Sequence, residues 1–157
     1  MNYRLYQPHD FAALYAIEEV CFPPPFRFGR RYMRQLVDGR NGATWIAEDA
    51  GKMAGFAIVE WKLRPLAPSA YVQTIEVLPE MRGRGAGREL LVRVEGSATD
   101  AGAASLWLHV DETNVAAIRL YEAHGFLRAG REEHYYAEGR GALLYRKPLG
   151  ETLQEIQ

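Results

Sequence analysis

One stretch of the chain, residues 71–88 with the sequence YVQTIEVLPEMRGRGAGR, restricts the possible folds more than any other. It begins with an apolar run typical of a β-strand, and this run stops at Pro79, which cannot donate a hydrogen bond to a sheet. Three glycines and three arginines follow within residues 82–88, and apolar residues then recur at helical spacing from Leu90 to Ala98. The stretch therefore predicts a strand, a glycine-rich loop and a helix in direct succession.

The predicted loop has the properties of a phosphate-binding site. The first amides of a helix point outward, the helix dipole favours negative charge at that end, and arginines add positive charge. Two common nucleotide motifs do not fit. A P-loop needs Lys and then Ser or Thr after its last glycine, but Arg88 and Glu89 follow Gly87, and Arg88 also replaces the third glycine of a dinucleotide motif. A purely structural glycine loop and an RNA-binding arginine–glycine segment are the remaining alternatives.

The composition indicates an ordinary globular protein. With 157 residues the chain is long enough for one domain, expected over residues 1–150, with a polar tail over residues 151–157. Lysine and arginine number 19 against 20 acidic residues, so no overall charge recruits nucleic acid or a membrane surface. A single cysteine, Cys21, allows no internal disulfide, and four scattered histidines favour no metal site. Without a long apolar run or a signal peptide, a cytoplasmic protein is expected, either a monomer or a homodimer.

Hydrophobic periodicity along the chain predicts strands and helices in the order β α α β β β α β α β β, typical of a mixed sheet with helices on both faces. Three prolines in the segment Phe22 to Phe26 end the first helix and predict a stiff, extended segment. This segment is either a plain linker or one wall of a substrate groove. Tyr135 and Tyr136 are predicted to lie in the connection between the last two strands.

Two motifs make the chain resemble a known family. Residues 82–87, RGRGAG, match R/Q-x-x-G-x-G/A, and residues 114–126, NVAAIRLYEAHGF, match N-x-x-A-x-x-L-Y-x-x-x-G-F. Through them nearly the whole chain resembles the GCN5-related N-acetyltransferases, the GNAT family. The resemblance implies an α/β (α+β) fold, with a mostly antiparallel seven-stranded sheet and about four helices, and acetyl-CoA as co-substrate. The residues it implies for acetyl-CoA are Ile75, Glu76, Val77, Arg82, Gly83, Arg84, Gly85, Ala86, Gly87, Arg88 and Asn114.

Within the family the chain looks most similar to the amino-terminal acetyltransferases, both the bacterial RimI type and the catalytic subunit of NatE. RimI-type enzymes carry a glutamate where this chain has His109, whereas the NatE subunit has Leu-His-Val there and a catalytic tyrosine where this chain has Tyr71. The implied acceptor is the α-amine of a peptide or protein. The substrate-groove residues expected from the proline segment and from this resemblance are Phe22, Pro23, Phe26, Tyr135 and Tyr136.

The chemistry requires a base, because an amine must be neutral to attack a thioester. An unperturbed histidine titrates near neutral pH, so His109 is the candidate base and Tyr71 the candidate holder of a relaying water. A core histidine is the structural alternative. Glu76 is a rival base, although strict alternation along its strand points it away from Tyr71, Gln73 and Ile75.

Further roles follow from the family resemblance. It implies that Tyr121 protonates the leaving thiolate, and that the amides of residues 75–77 hold the developing oxyanion. Asn114 either contacts the pantetheine arm or only caps a helix. Cys21 is not favoured as a nucleophile, because its helical phase places it among core residues.

The alternatives to a peptide acetyltransferase come from two classes. One is an acetyltransferase of a small amine such as a polyamine, an amino acid or an antibiotic. The other is a module that binds acyl-CoA as a sensor without turnover, but Tyr71, His109 and Tyr121 argue against it because binding requires only the loop.

Overall fold

The computed structural model describes residues 1–137 and 139–150, with the side chains of Tyr136 and Ala137 left out. The predicted tail at residues 151–157 therefore lies outside the described residues. The described residues form seven strands and four α-helices, which follow one another along the chain in the predicted order. The strands are β1 (Asn2–Leu5), β2 (Gly42–Asp49), β3 (Lys52–Lys62), β4 (Ser69–Val77), β5 (Ser105–Asp111), β6 (Leu127–Ala137) and β7 (Arg140–Pro148), and the helices are α1 (Phe11–Cys21), α2 (Arg30–Asp38), α3 (Ala86–Asp100) and α4 (Val115–Ala123).

The strands form one mixed sheet in the order β1-β2-β3-β4-β5-β7-β6, which confirms the predicted fold class. Every neighbouring pair is antiparallel except β4 and β5, which run parallel. These two strands pair only from Ser69 to Tyr71 and from Ser105 to Trp107. Beyond that point the centre of the sheet separates.

Helices cover both faces of the sheet and bury two hydrophobic clusters. On one face α3 packs on β2, β3 and β4, and α4 contributes Tyr121 to the same cluster. On the other face α1 packs on β3 and β4, and α2 packs on β2 and β3. No helix within residues 1–137 and 139–150 is long and apolar enough to cross a membrane. The largest buried side chains include Leu90, Leu91, Leu106 and Leu108 on the α3 face and Leu14, Met33, Phe56 and Ile58 on the α1 face.

A bulge in β4 overturns one expectation about which side chains share a face. In the pairing with β3, Ile58 lies opposite Thr74 and Val59 lies opposite Val72. Gln73 has no opposite residue in β3 and is therefore an extra residue in β4. Tyr71 lies opposite Glu60 and Glu76 lies opposite Phe56. Because Phe56 and Glu60 are four residues apart in β3, they point to the same face, and so do their partners Tyr71 and Glu76. The prediction that Glu76 points away from Tyr71 and Gln73 was wrong.

Two other local predictions were also wrong. The proline segment is not extended throughout, because Pro24–Phe26 forms a single turn of 3-10 helix. Proline has a fixed φ that suits the first turn of a helix, so consecutive prolines can start such a turn as well as end one. Tyr135 lies inside β6 rather than in the connection, since β6 continues to Ala137 and β7 begins at Arg140, which makes both strands longer than predicted.

Candidate functional site

The glycine-rich loop has the backbone shape expected of a phosphate cradle. Gly83 and Gly85 adopt φ values of 80° and 84°, in the left-handed region that favours glycine. A side chain at either position would meet nothing within 4 Å, so the loop is open above these residues. Gly85 is the N-cap of α3, and the first amides of that helix are directed toward the same space. The backbone therefore fits an anionic ligand such as a pyrophosphate.

The three arginines of the loop are each held by another protein group. Arg82 turns back and donates from Nε to the carbonyl of Val77 at 2.9 Å, which ties the loop to the end of β4. Arg84 forms an ion pair with Asp49 at 3.1 Å and lowers the pKa of that carboxyl. The Nε atom of Arg88 donates to Nε2 of His124 at 3.2 Å. The three arginines thus place positive charge around the loop. Arg82 also uses its guanidinium to bind the backbone at the end of β4.

A cavity of about 640 Å³ lies where β4 and β5 stop pairing. Tyr71 and His109 both line it. Trp61 and Trp107 are the largest apolar side chains of its wall, and Glu60 and Gln73 add polar atoms, with Gln73 donating to Glu60 at 2.7 Å. The sequence reasoning did not select any of these four residues.

A continuous chain of hydrogen bonds runs through the predicted base. Tyr71 Oη lies 2.6 Å from Nδ1 of His109, and Nε2 of His109 lies 2.8 Å from Oε1 of Glu132. The His109 side chain is 13% exposed and Glu132 is 53% exposed, so the chain leads from the edge of the cavity to the surface. The structure therefore brings the two predicted residues into contact and adds a carboxylate that the sequence reasoning missed.

The local shape of β6 places two of its residues against the same imidazole. The Tyr135 ring stacks on His109 with centroids 4.4 Å apart, and its hydroxyl lies 3.5 Å from that of Tyr71. In a regular strand, residues 132 and 135 would point to opposite faces. The strand is irregular between Glu132 and Ala137, and His134 has φ of 57°, which changes the alternation. The bulge is therefore what allows Glu132 and Tyr135 to meet His109 together.

The rival base, Glu76, is buried rather than open to the cavity. It is 3% exposed, and the Glu18 carboxyl of α1 beside it is 1% exposed. Burial, reinforced by the neighbouring Glu18 carboxyl, raises the pKa of Glu76 well above its usual range. Thr74 donates to Glu76 at 2.8 Å, the Phe28 amide donates to Glu18 at 2.9 Å, and the Oε1 atom of each glutamate has no hydrogen-bond partner among the described residues. Because the raised pKa favours the protonated carboxyl, Glu76 is poorly suited to take a proton from an amine.

The predicted acid, Tyr121, lies on the opposite face of the sheet from His109. It belongs to the cluster beneath α3 and is 8% exposed, with the Phe126 ring edge-on at 5.9 Å. Burial raises the pKa of Tyr121 to about 12, so the phenol stays protonated at neutral pH. Asn114, at the start of the same helix, accepts a hydrogen bond from the Ala117 amide at 3.2 Å, which shows that it is the N-cap of α4.

The predicted substrate-groove residues come together only in part. Tyr135 contacts His109, and the Phe26 ring lies 5.2 Å from the guanidinium of Arg140, so the proline segment reaches the start of β7. Phe22 and Pro23 are not among the described residues that line the cavity, and the side chain of Tyr136 lies outside the description. Within residues 1–137 and 139–150 no group of three His, Cys, Asp or Glu residues is placed to hold a metal ion.

Comparison with known proteins gives a consistent result. The model of the acetyltransferase (GNAT) family matches residues 11–126. Streptothricin acetyltransferase from Streptomyces lavendulae is 35% identical over 127 residues, which is 71% of this chain and 65% of that protein. The ribosomal protein bS18-alanine N-acetyltransferase of Escherichia coli is 41% identical over 86 residues, 55% of each chain. The matched segments thus span between about half and two thirds of these curated relatives.

A solved structure extends the likeness to almost the full chain. The crystal structure of the ribosomal-protein-S18-alanine N-acetyltransferase from Escherichia coli has a TM-score of 0.83 and 29% sequence identity. The superposition covers 94% of this chain and 93% of that one. The similarity therefore includes the strands and helices that carry the loop, the cavity and the hydrogen-bonded chain described above.

Proposed function

Because this chain belongs to the acetyltransferase (GNAT) family, we propose that it transfers the acetyl group of acetyl-CoA to a primary amine, and that this amine is the N-terminal α-amine of a peptide or protein. The observation that carries the proposal is the Tyr71–His109 pair, hydrogen-bonded at 2.6 Å at the edge of a cavity of about 640 Å³. Resemblance to the bS18-alanine N-acetyltransferase over 94% of the chain supports the peptide acceptor.

In this proposal the α1 face of the sheet supplies the base. His109 accepts the proton of the amine by way of Tyr71, whose hydroxyl is already hydrogen-bonded to the imidazole. Trp61 and Trp107 give the first residue of the acceptor an apolar surface beside the pair. Glu76 is not assigned as the base, because it is buried and burial raises its pKa in favour of the protonated form.

The other face and the loop serve the co-substrate. Acetyl-CoA, when bound, supplies the thioester carbon that the amine attacks and the thiolate that leaves. The amides of Gly85 and the first turn of α3, with the nearby arginines, would hold its pyrophosphate, and the amides of residues 75–77 would hold the thioester oxygen. Tyr121 would protonate the leaving thiolate, since its phenol carries its proton at neutral pH.

A small amine is a second candidate acceptor, because the cavity carries a carboxylate. Glu60 lines the cavity and accepts a hydrogen bond from Gln73, so it offers negative charge to a substrate with an additional cationic group. A streptothricin acetyltransferase is also among the relatives, at 35% identity. A polyamine or an amine-bearing antibiotic would satisfy both observations.

Thiol release from acetyl-CoA, measured against two acceptor panels, tests the proposal. One panel varies the first two residues of short peptides, and the other contains free polyamines, amino acids and amine antibiotics. Turnover with peptides is expected, with a preference set at the first residue. Turnover on small amines alone would refute the peptide acceptor and leave the catalytic residues in place, and binding of acetyl-CoA without any turnover would refute the enzymatic function.

A further inference from the structure

The position of the hydrogen on His109 is determined by a residue that belongs to neither sequence motif. Glu132 lies 2.8 Å from Nε2, and an ionised carboxylate can only accept a hydrogen bond. The neutral imidazole therefore carries its hydrogen on Nε2, which leaves the Nδ1 lone pair facing Tyr71 at 2.6 Å. Consequently the Tyr71 hydroxyl is the donor in that hydrogen bond.

Building on the function proposed above, we propose that Glu132 is a positioning residue that holds His109 as the Nε2–H tautomer and so directs the amine proton through Tyr71. The amine lone pair forms the new C–N bond, and the C–S electron pair leaves with sulfur, which takes its proton from Tyr121. The amine proton passes to the Tyr71 oxygen as the proton of Tyr71 passes to Nδ1. The carboxylate of Glu132 then stabilises the imidazolium.

The surroundings of the imidazole single out Glu132. Among the described residues, it is the carboxylate within hydrogen-bonding distance of His109. The other titratable or charged groups of the described residues near the ring are two tyrosines, two basic side chains and one carboxylate, which accepts a hydrogen bond from Gln73 instead. They are Tyr71 from β4, Tyr135 from β6, Glu60 and Lys62 from β3, and Arg146, which lies over Trp107 on the same face, from β7.

A purely structural role for Glu132 predicts a different behaviour. The side chain is 53% exposed on β6, which pairs only with β7 and forms the edge of the sheet. Exposed ion pairs contribute little to stability, so removal of this carboxylate should leave folding almost unchanged. An effect confined to His109 and to proton transfer would therefore separate positioning from support of the fold.

The first test reads the tautomer directly and needs no turnover. Two-bond proton–nitrogen NMR spectra of the free protein, labelled with 15N, should show His109 with hydrogen on Nε2 in the wild type and a mixture of tautomers in Glu132→Ala. His124 is an internal reference, because its Nδ1 donates to the carbonyl of Leu120 at 2.9 Å and fixes the opposite tautomer. The control variant Glu133→Ala, on the same strand but bonded to Arg131, should leave His109 unchanged.

The second test measures rate against pH with an accepted acceptor. In Glu132→Ala, kcat at pH 7 should fall by about 5- to 30-fold, and the acid limb should move to lower pH by about half a unit, with KM for acetyl-CoA and Tm unchanged. An unaltered tautomer in Glu132→Ala, or an equal loss of rate in Glu133→Ala, would overturn the proposal. If the wild type acetylated nothing, only the proposed function would fail, since the NMR result stands by itself.

Discussion

Two groups of ionisable side chains lie on the same face of the sheet and differ in how completely their polar atoms are paired. In the open group, Tyr71, His109 and Glu132 form an unbroken hydrogen-bonded chain that reaches solvent through a carboxylate that is 53% exposed. In the closed group, Glu18 and Glu76 are 1% and 3% exposed, and the Oε1 atom of each has no partner among the described residues.

The difference shows that burial, more than residue type, decides what a proton-carrying group can do. A carboxyl with no access to water keeps its proton, because ionisation would leave an unsolvated charge. A histidine with a donor on one side and a carboxylate on the other can exchange a proton at both nitrogens. The open group is thus suited to proton transfer, whereas the closed group buries two carboxyls between α1 and β4 and favours the protonated form of Glu76.

The largest effect on rate is expected from a substitution of Tyr121, the proposed acid on the opposite face of the sheet. Neither the open nor the closed group can take over its role. Tyr121→Phe should lower kcat by about 10²- to 10⁴-fold while Kd for acetyl-CoA stays within about twofold. The ring packing against Phe126 is preserved in this variant, so stability should change little. Steady-state kinetics and calorimetric titration measure the two quantities. A rate within about twofold of the wild type would exclude Tyr121 as the acid.

Loss of the central member of the open group should have the next largest effect. His109→Ala should reduce kcat/KM by about 10²-fold and remove the acid limb of the pH–rate profile near pH 6–7, because the amine proton loses its acceptor. His9→Ala, at a side chain that is 72% exposed, is the matched control and should behave as the wild type. An acid limb that persists in His109→Ala would move the base elsewhere.

A substitution in the closed group should change the free energy of unfolding rather than the rate of acetyl transfer. The folded state raises the pKa of Glu76, so the unfolded chain loses this proton near its usual pKa of about 4.3 while the folded chain keeps it. Stability therefore falls as pH rises above that value, by at most about 1.4 kcal/mol per pH unit. Glu76→Gln imitates the protonated carboxyl and should flatten this dependence.

Urea unfolding between pH 5 and 9 measures this effect, and Glu19→Gln, at an exposed position of the same helix as Glu18, is the control. The stability gained by Glu76→Gln relative to the wild type should increase steadily with pH. A constant difference across that range would show that Glu76 is ionised in the folded protein, and the contrast between the two groups would then disappear.

The smallest effect concerns the thiol beside the closed group. Burial raises the pKa of Cys21, so little thiolate forms at neutral pH. Cys21→Ala should keep kcat within about twofold of the wild type, and iodoacetamide should label Cys21 at pH 8 at least about tenfold more slowly than free cysteine. Rapid labelling together with a large loss of rate would indicate a nucleophilic thiol.

The parts of the molecule that depend on local sequence could be predicted. Helical and strand periodicity predicted the order of the elements. The glycines of residues 82–88 predicted the loop before α3, and the motif around Tyr121 predicted α4. Contact between Tyr71 and His109 could be expected because they lie on adjacent strands. Each of these features follows from spacing along one segment or from one strand pairing.

The rest depends on bulges and on packing between distant segments. The extra residue Gln73 puts Tyr71 and Glu76 on one face, and the left-handed His134 brings Glu132 and Tyr135 to one imidazole, but neither residue is of a type that announces a bulge. Glu18 did carry a signal. It lies four and seven residues after Leu14 and Phe11 on the buried face of α1, where a charged residue requires a partner.

The short pairing of β4 with β5 has a mechanical consequence. The sheet consists of two leaves, one of β1, β2, β3 and β4 and the other of β5, β7 and β6. Among the described residues three pairs join the leaves, from Ser69–Ser105 to Tyr71–Trp107. Tyr71 belongs to one leaf, whereas His109 and Glu132 belong to the other. Because Tyr71 is part of that joint, a small rotation there would change the width of the opening and the Tyr71–His109 distance together.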